Sequence, residues 1–182
     1  MTLRHNLVRV VSLVAVMACP AVAVGQATLH VAAGFTGANL SVLKSRSYGA
    51  SILLGGGVNI GQRISVLGEY SHASIFSSEA TIASVFIPES SIGISSFTLN
   101  LKARMPVSDN VRWYVIGGYG LYHQQIRALG PGTSRAGQNI GAGMEFNLDN
   151  SVSLFWELRM HRQPEAGQTT ITIPISFGIR WH

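Results

Sequence analysis

Polar and apolar residues alternate along most of this chain, most clearly at its end. From Val152 every second residue is apolar: Val152, Leu154, Trp156, Leu158 and Met160, with Ser153, Phe155, Glu157, Arg159 and His161 between them. After a break at Gln163 to Gln168 the pattern resumes, Ile171, Ile173, Ile175, Phe177, Ile179 and Trp181 alternating with Thr170, Thr172, Pro174, Ser176, Gly178, Arg180 and His182. A period of two puts one set on each face of a β-strand. Strands in soluble domains usually run about 5–6 residues. The longer stretches here predict strands that cross a bilayer, with the apolar face to lipid and the polar face to a lumen.

The same reading gives six earlier strands: Thr28 to Thr36, Tyr48 to Ile60, Arg63 to Phe76, Ile92 to Met105, Val111 to Ile126 and Gly137 to Leu148. Between them lie a loop at Gly37 to Ser47, a tight turn at Gly61-Gln62, a long loop at Ser77 to Ser91, a turn at Pro106 to Asn110, a loop marked by Gly130-Pro131-Gly132 and a turn at Asp149-Asn150. Long and short connections alternate, as expected for a barrel with both termini in the periplasm and its long loops outside. Closure removes every unpaired edge, which lipid would penalise by several kcal/mol per backbone group. The expected fold is all-β: an eight-stranded antiparallel up-and-down transmembrane β-barrel over residues 28–182.

Composition sharpens this picture. Mean hydropathy is +0.28, charged residues make up 12% and there are 20 glycines. After residue 27 no apolar run approaches the roughly 18 residues a membrane helix needs. Residues 1–27 read as a signal peptide: Arg4 and Arg9, an apolar stretch from Val10 to Val24, then small residues. Cleavage is expected after Ala27, with Ala23 as the alternative. The sole cysteine, Cys19, lies in this leader, so the mature chain has no disulfide, thiolate nucleophile or cysteine metal site. The mature chain carries 11 Lys and Arg against 8 Asp and Glu, the basic residues scattered along strands. No nucleic-acid partner is expected from such scattering.

By parity, Arg63, Glu69, Lys102, Arg104, Arg112, Glu145, Glu157, Arg159 and Arg180 point inward. Eight strands leave a lumen just wide enough for side chains, and unpaired charge there is costly. A salt-bridge network centred on Glu69, Glu145 and Glu157 is therefore expected, closing the lumen. A selective pore is the competing reading. Inward glycines at 55, 57, 118, 120, 141 and 143 leave room for the long side chains. Tyr48, Tyr70, Trp113, Tyr119, Trp156 and Trp181 face outward and are expected to form aromatic girdles at the two interfaces.

The leader, the Gly-Gly-Tyr-Gly segment at Gly117 to Gly120, the eight alternating strands and the ending Ile175-Ser176-Phe177-Gly178-Ile179-Arg180-Trp181 resemble the OmpA-like outer-membrane β-barrel proteins. The resemblance is one of pattern over the whole mature chain. It implies the outer membrane of a Gram-negative bacterium, contact with outer-membrane lipid and lipopolysaccharide, escort by periplasmic chaperones, insertion by the barrel-assembly machinery, and a monomer. The ending resembles the assembly signal, although His182 follows the terminal aromatic. No peptidoglycan-binding domain is expected.

An enzymatic alternative rests on His72-Ala73-Ser74, which is similar to the His-x-Ser pair of outer-membrane lipid A deacylases. Ser74 would be the nucleophile, His72 its base and Glu79 the orienting acid. The pair stands on the third strand rather than a late one, in different surroundings, and a non-enzyme is expected. The histidines lack paired metal-ligand spacing, no phosphate-binding loop is present, and no cofactor is expected. The loop at Ser77 to Ser91, with Glu79, Glu89 and an apolar Ile82 to Ile87, is the candidate for binding a surface partner or folding as a short hairpin. A soluble periplasmic β-barrel binder remains the third reading, distinguished by stability without detergent.

Overall fold

The computed structural model describes residues 25–40, 45–82, 85–126, 132–165 and 168–182. Eight antiparallel strands follow in order: β1 (Gly25–Leu40), β2 (Ser45–Ile60), β3 (Ile64–Ile82), β4 (Val85–Pro106), β5 (Val111–Ile126), β6 (Thr133–Asn147), β7 (Val152–Glu165) and β8 (Gln168–Trp181). Each pairs with its neighbours in sequence, and β1 also pairs with β8, from Leu29 opposite Trp181 to Asn39 opposite Ile171. The sheet therefore closes into an up-and-down barrel. Most of the leader and Gly130-Pro131 lie outside the described residues.

Burial is inverted relative to a water-soluble protein. The buried positions include Glu69, Lys102, Glu145, Glu157, Arg159 and Arg180, while Phe35, Tyr48, Leu99, Leu121, Ile140 and Phe177 are exposed. An apolar exterior this continuous far exceeds the few hundred Å² that soluble monomers expose. In lipid the same surface needs no cover, and the closed ladder satisfies the backbone.

One end of the barrel has tight turns. Gly61 adopts φ of 66° after β2, a left-handed conformation that favours glycine. Asp149 accepts hydrogen bonds from the amides of Ser151 (2.6 Å) and Val152 (2.8 Å), closing the β6–β7 turn. At the other end the strands outrun the alternation. The segment Ser77 to Ser91, expected to be a loop, is ladder almost to its tip: Ser77 pairs with Ser90, Glu79 with Pro88 and Ile82 with Val85. The expected loop at Gly37 to Ser47 is likewise shortened by pairing as far as Leu40 opposite Ser45. β1 begins at Gly25, opposite Ile60, three residues before the expected start of the domain.

Candidate functional site

The lumen is where sequence parity concentrates polar chemistry. Glu69, on β3, is 1% exposed and receives four groups. His30 Nε2 on β1 lies 2.9 Å from its Oε1, Asn100 Nδ2 on β4 donates at 2.7 Å to Oε2, and Arg159 Nη1 and Nη2 on β7 approach at 2.5 and 3.4 Å. Arg159 also donates through Nε to Glu157 Oε1 at 2.7 Å, and Tyr114 Oη donates to Glu157 Oε2 at 3.0 Å. A second cluster centres on Glu145 of β6, ion-paired with Lys102 from β4 and Arg180 from β8. The Lys102 ammonium stands 4.1 Å from the Tyr114 ring centroid, and the Arg180 guanidinium 4.7 Å from that of Phe155. At these distances the aromatic rings help solvate the buried cations.

Strand alternation aims each of these groups inward, and small residues make the space. A Cβ at Gly55 would sit 2.5 Å from His30 Nε2 and 2.7 Å from Glu69 Cγ, and one at Gly143 would sit 2.6 Å from Tyr114 Oη. The charged layer lies between two spaces. On the side of the long hairpins, a cavity of about 40 Å³ is bordered by Thr36, Ser51, Ser71, Ser96 and His161. It has room for about two or three waters, and Thr36 Oγ1 and Ser51 Oγ have no partner among the described residues. Tyr122 Oη and His161 Nδ1 are hydrogen-bonded there at 2.9 Å. At the short-turn mouth a wider basin, about 730 Å³, is bordered by Arg63, Arg104, Arg112 and His182 among others.

Two of the residues expected in the lumen network stand apart from it. Arg63 is exposed in the turn before β3, and Arg112 is half-buried as the second residue of β5. Neither forms a salt bridge with a described carboxylate, although Arg112 is the cross-strand partner of Glu145, whose charge is taken by Lys102 and Arg180; both line the basin. Arg104 is buried but bonds through Nη2 to Asn59 and Ser65, not to a carboxylate. Sequence reasoning assigned no part in the network to His30, Tyr114 or Asn100. Parity alone places all three inward, so the signal was present, but nothing in the sequence marked them as partners of Glu69 and Glu157.

The six expected girdle aromatics are exposed on the outer surface. Trp113, Trp156 and Trp181 lie near the short-turn ends of β5, β7 and β8, while Tyr48 lies toward the other end of β2, opposite Phe76.

The outward pair His72 and Ser74 is in contact: Ser74 Oγ lies 3.3 Å from His72 Nε2. The other ring nitrogen, Nδ1, lies 2.9 Å from Ser95 Oγ, a neutral hydroxyl. The side chain of Glu79 lies outside the described residues. A neutral orienter cannot stabilise an imidazolium as a carboxylate does. The backbone at Ser74 and Ser95 runs within paired strands, opposite Ala50 and Gly93 and opposite His72 and His123. Paired strands present no cluster of free amides for an oxyanion. The arrangement reads as a polar patch on the outer surface.

The family model described as the outer membrane protein beta-barrel domain matches residues 8–171. Neisserial surface protein A superimposes with a TM-score of 0.71 at 14% identity, over 85% of this chain and 96% of that one. Ail, the attachment invasion locus protein of Yersinia pestis, gives a TM-score of 0.52 at 12% identity, over 86% of this chain and 99% of that one. Ail in complex with the heparin analogue sucrose octasulfate gives 0.50 at 14% identity, over 86% and 99%. At such identities the likeness is one of fold. Comparison with curated protein sequences returns no match.

Proposed function

Since the chain belongs to the outer membrane protein β-barrel domain family, and so to the Gram-negative outer membrane, we propose that it is a structural or surface-interaction barrel whose lumen is closed by its own side chains. The observation that carries this reading is the charged layer. Glu69, Glu145 and Glu157 are each bound by cations from other strands or from their own, and every one of these side chains is at most 3% exposed. Such a layer joins opposite walls of the barrel through the interior, and leaves the ions no aqueous path between the upper cavity and the basin. Water removed from both sides also strengthens each pair, so that breaking one by removing a partner costs about 3–5 kcal/mol.

In this reading the short turns face the periplasm and the β3–β4 hairpin projects from the cell. That hairpin supplies the surface for a partner, while the girdle aromatics seat the barrel among lipid and lipopolysaccharide. Ail was solved with a sulfated sugar analogue, but the β3–β4 hairpin here carries Glu79 and Glu89 and no basic residue, so a polyanionic surface ligand is not proposed. Assembly through periplasmic chaperones and the barrel-assembly machinery, and a monomeric state, belong to the same reading. The ladder from Gly25 to Ile60 favours leader cleavage after Ala23, because cleavage after Ala27 would remove three pairs.

The test is conductance. Purified barrel in planar bilayers is expected to show no stable channel steps, and removal of the charged layer by combined Glu145→Ala and Arg159→Ala substitution is expected to create them. Regular channel openings in the unaltered protein would overturn the closed-lumen reading.

A further inference from the structure

Among the described residues, the charged lumen leaves one guanidinium without a carboxylate partner. Glu69 is taken by His30 and Arg159, Glu157 by Arg159, and Glu145 by Lys102 and Arg180. Arg104 is 5% exposed and has only the neutral oxygens of Asn59 and Ser65. Its Nε is buried and has no acceptor among the described residues. Arg112, a second cation, borders the same basin and acts on it. A buried cation facing a second cation is costly unless an anion stands with them.

The basin at the short-turn mouth meets that requirement. Arg104, Arg63, Arg112 and His182 border its volume of about 730 Å³. Two acids border it as well. The carboxylate of Asp149 is already engaged by the amides of Ser151 and Val152, and Asp109 is exposed in the turn between β4 and β5. None of the described carboxylates forms a salt bridge with Arg63, Arg104 or Arg112.

We propose that this basin is a binding site for a phosphate-class oxyanion, with the guanidinium groups of Arg104 and Arg112 as its donors and Arg63 as an outer charge. Guanidinium groups present planar pairs of N–H donors that match phosphate oxygens, and several together match a dianion better than a single carboxylate. The anion comes either from a periplasmic solute or from the headgroup of a phospholipid bordering the rim. The inference rests on the barrel and its mouth, not on any role of the outer surface.

The experiment uses the full chain in alkyl-glucoside micelles, its folded state checked by the faster mobility of the unheated band. Inorganic phosphate is titrated by calorimetry. One saturable site per barrel is expected, weakened about tenfold or more in Arg112→Gln, the loss of one charge-assisted hydrogen bond, and unchanged in Arg162→Gln on the opposite, outward side. Arg112 is half-buried at a strand end, so its loss spares the fold; Arg63→Gln is a second variant and is expected to weaken binding less. The titration is repeated in nanodiscs containing phosphatidylglycerol. Phosphate binding suppressed there identifies the lipid headgroup as the source, and binding retained identifies a solute. Absence of saturable binding in micelles, or equal affinity in the Arg112→Gln protein, overturns the proposal.

Discussion

Glu145 shows how single residues hold this barrel. Two cations from strands on either side converge on one carboxylate that is 0% exposed. Glu145→Gln keeps the volume and removes the charge, leaving Lys102 and Arg180 buried without it. The folded barrel is expected to lose about 3–5 kcal/mol in urea unfolding from lipid vesicles, whereas Arg63→Gln, in an exposed turn, is expected to change stability by no more than about 0.5 kcal/mol. Gly55→Ala would drive a methyl group into the contact between His30 and Glu69, at a cost of about 1–3 kcal/mol in the same assay. His182, beyond the last strand, has its pKa pushed down to about 4 by burial and then by the charges of Arg180 and Arg104. Its ring is neutral in the folded state at pH values where the unfolded chain already binds a proton. Stability from this group is therefore full above the ordinary value of 6.5 and falls as pH drops from 6.5 toward 4. In His182→Asn the decline across that window is expected to be shallower than in the unaltered protein. Ser74→Ala is expected to leave the acyl chains of lipid A unchanged by mass spectrometry, since among the described residues the partner behind the Ser74–His72 contact is the Ser95 hydroxyl.

At the scale of the element, legibility followed the membrane. β5 has the bounds its alternation predicts, Val111 to Ile126, and β2 ends as expected at Ile60. Across lipid the two faces of a strand meet different media, so every residue must declare a side. Beyond the lipid both faces of a hairpin meet water, and pairing persists without alternation. Ser77 to Ser91 was unreadable as strand for that reason, although its backbone is paired nearly to the tip. Pro88 reinforced the impression of a loop, yet it lies beyond the last described pair between β4 and β5, Ile92 opposite Ile126. An edge strand accepts proline because no donor is required on its free side. The hairpin extension is thus separable from the barrel. Replacing residues 77–90 by a short turn is expected to preserve the heat-modifiable mobility of the folded protein on gels; a variant that runs only at its boiled position would show that the extension helps the barrel close.

The whole molecule is stabilised in two different ways by its two surfaces. Outside, apolar side chains need only lipid, and no specific neighbour. Inside, each charge needs a particular partner at a particular distance. The sequence by itself determined the first: the period of two, the strand number, the closed antiparallel order and the face on which the charges well within the strands lie are all local or additive properties of the chain. Only the tertiary structure decided the second. Arg159 bonds Glu69 across a separation of 90 residues, and Lys102 meets Glu145 rather than Glu157, because closure and strand stagger set which inward residues share a level. Parity assigns a side but no height, and near the strand ends it loses even that force. Hence Arg63 and Arg112 fall to the mouth, Arg104 is left facing them, and His30 enters a network that no spacing in the sequence announces.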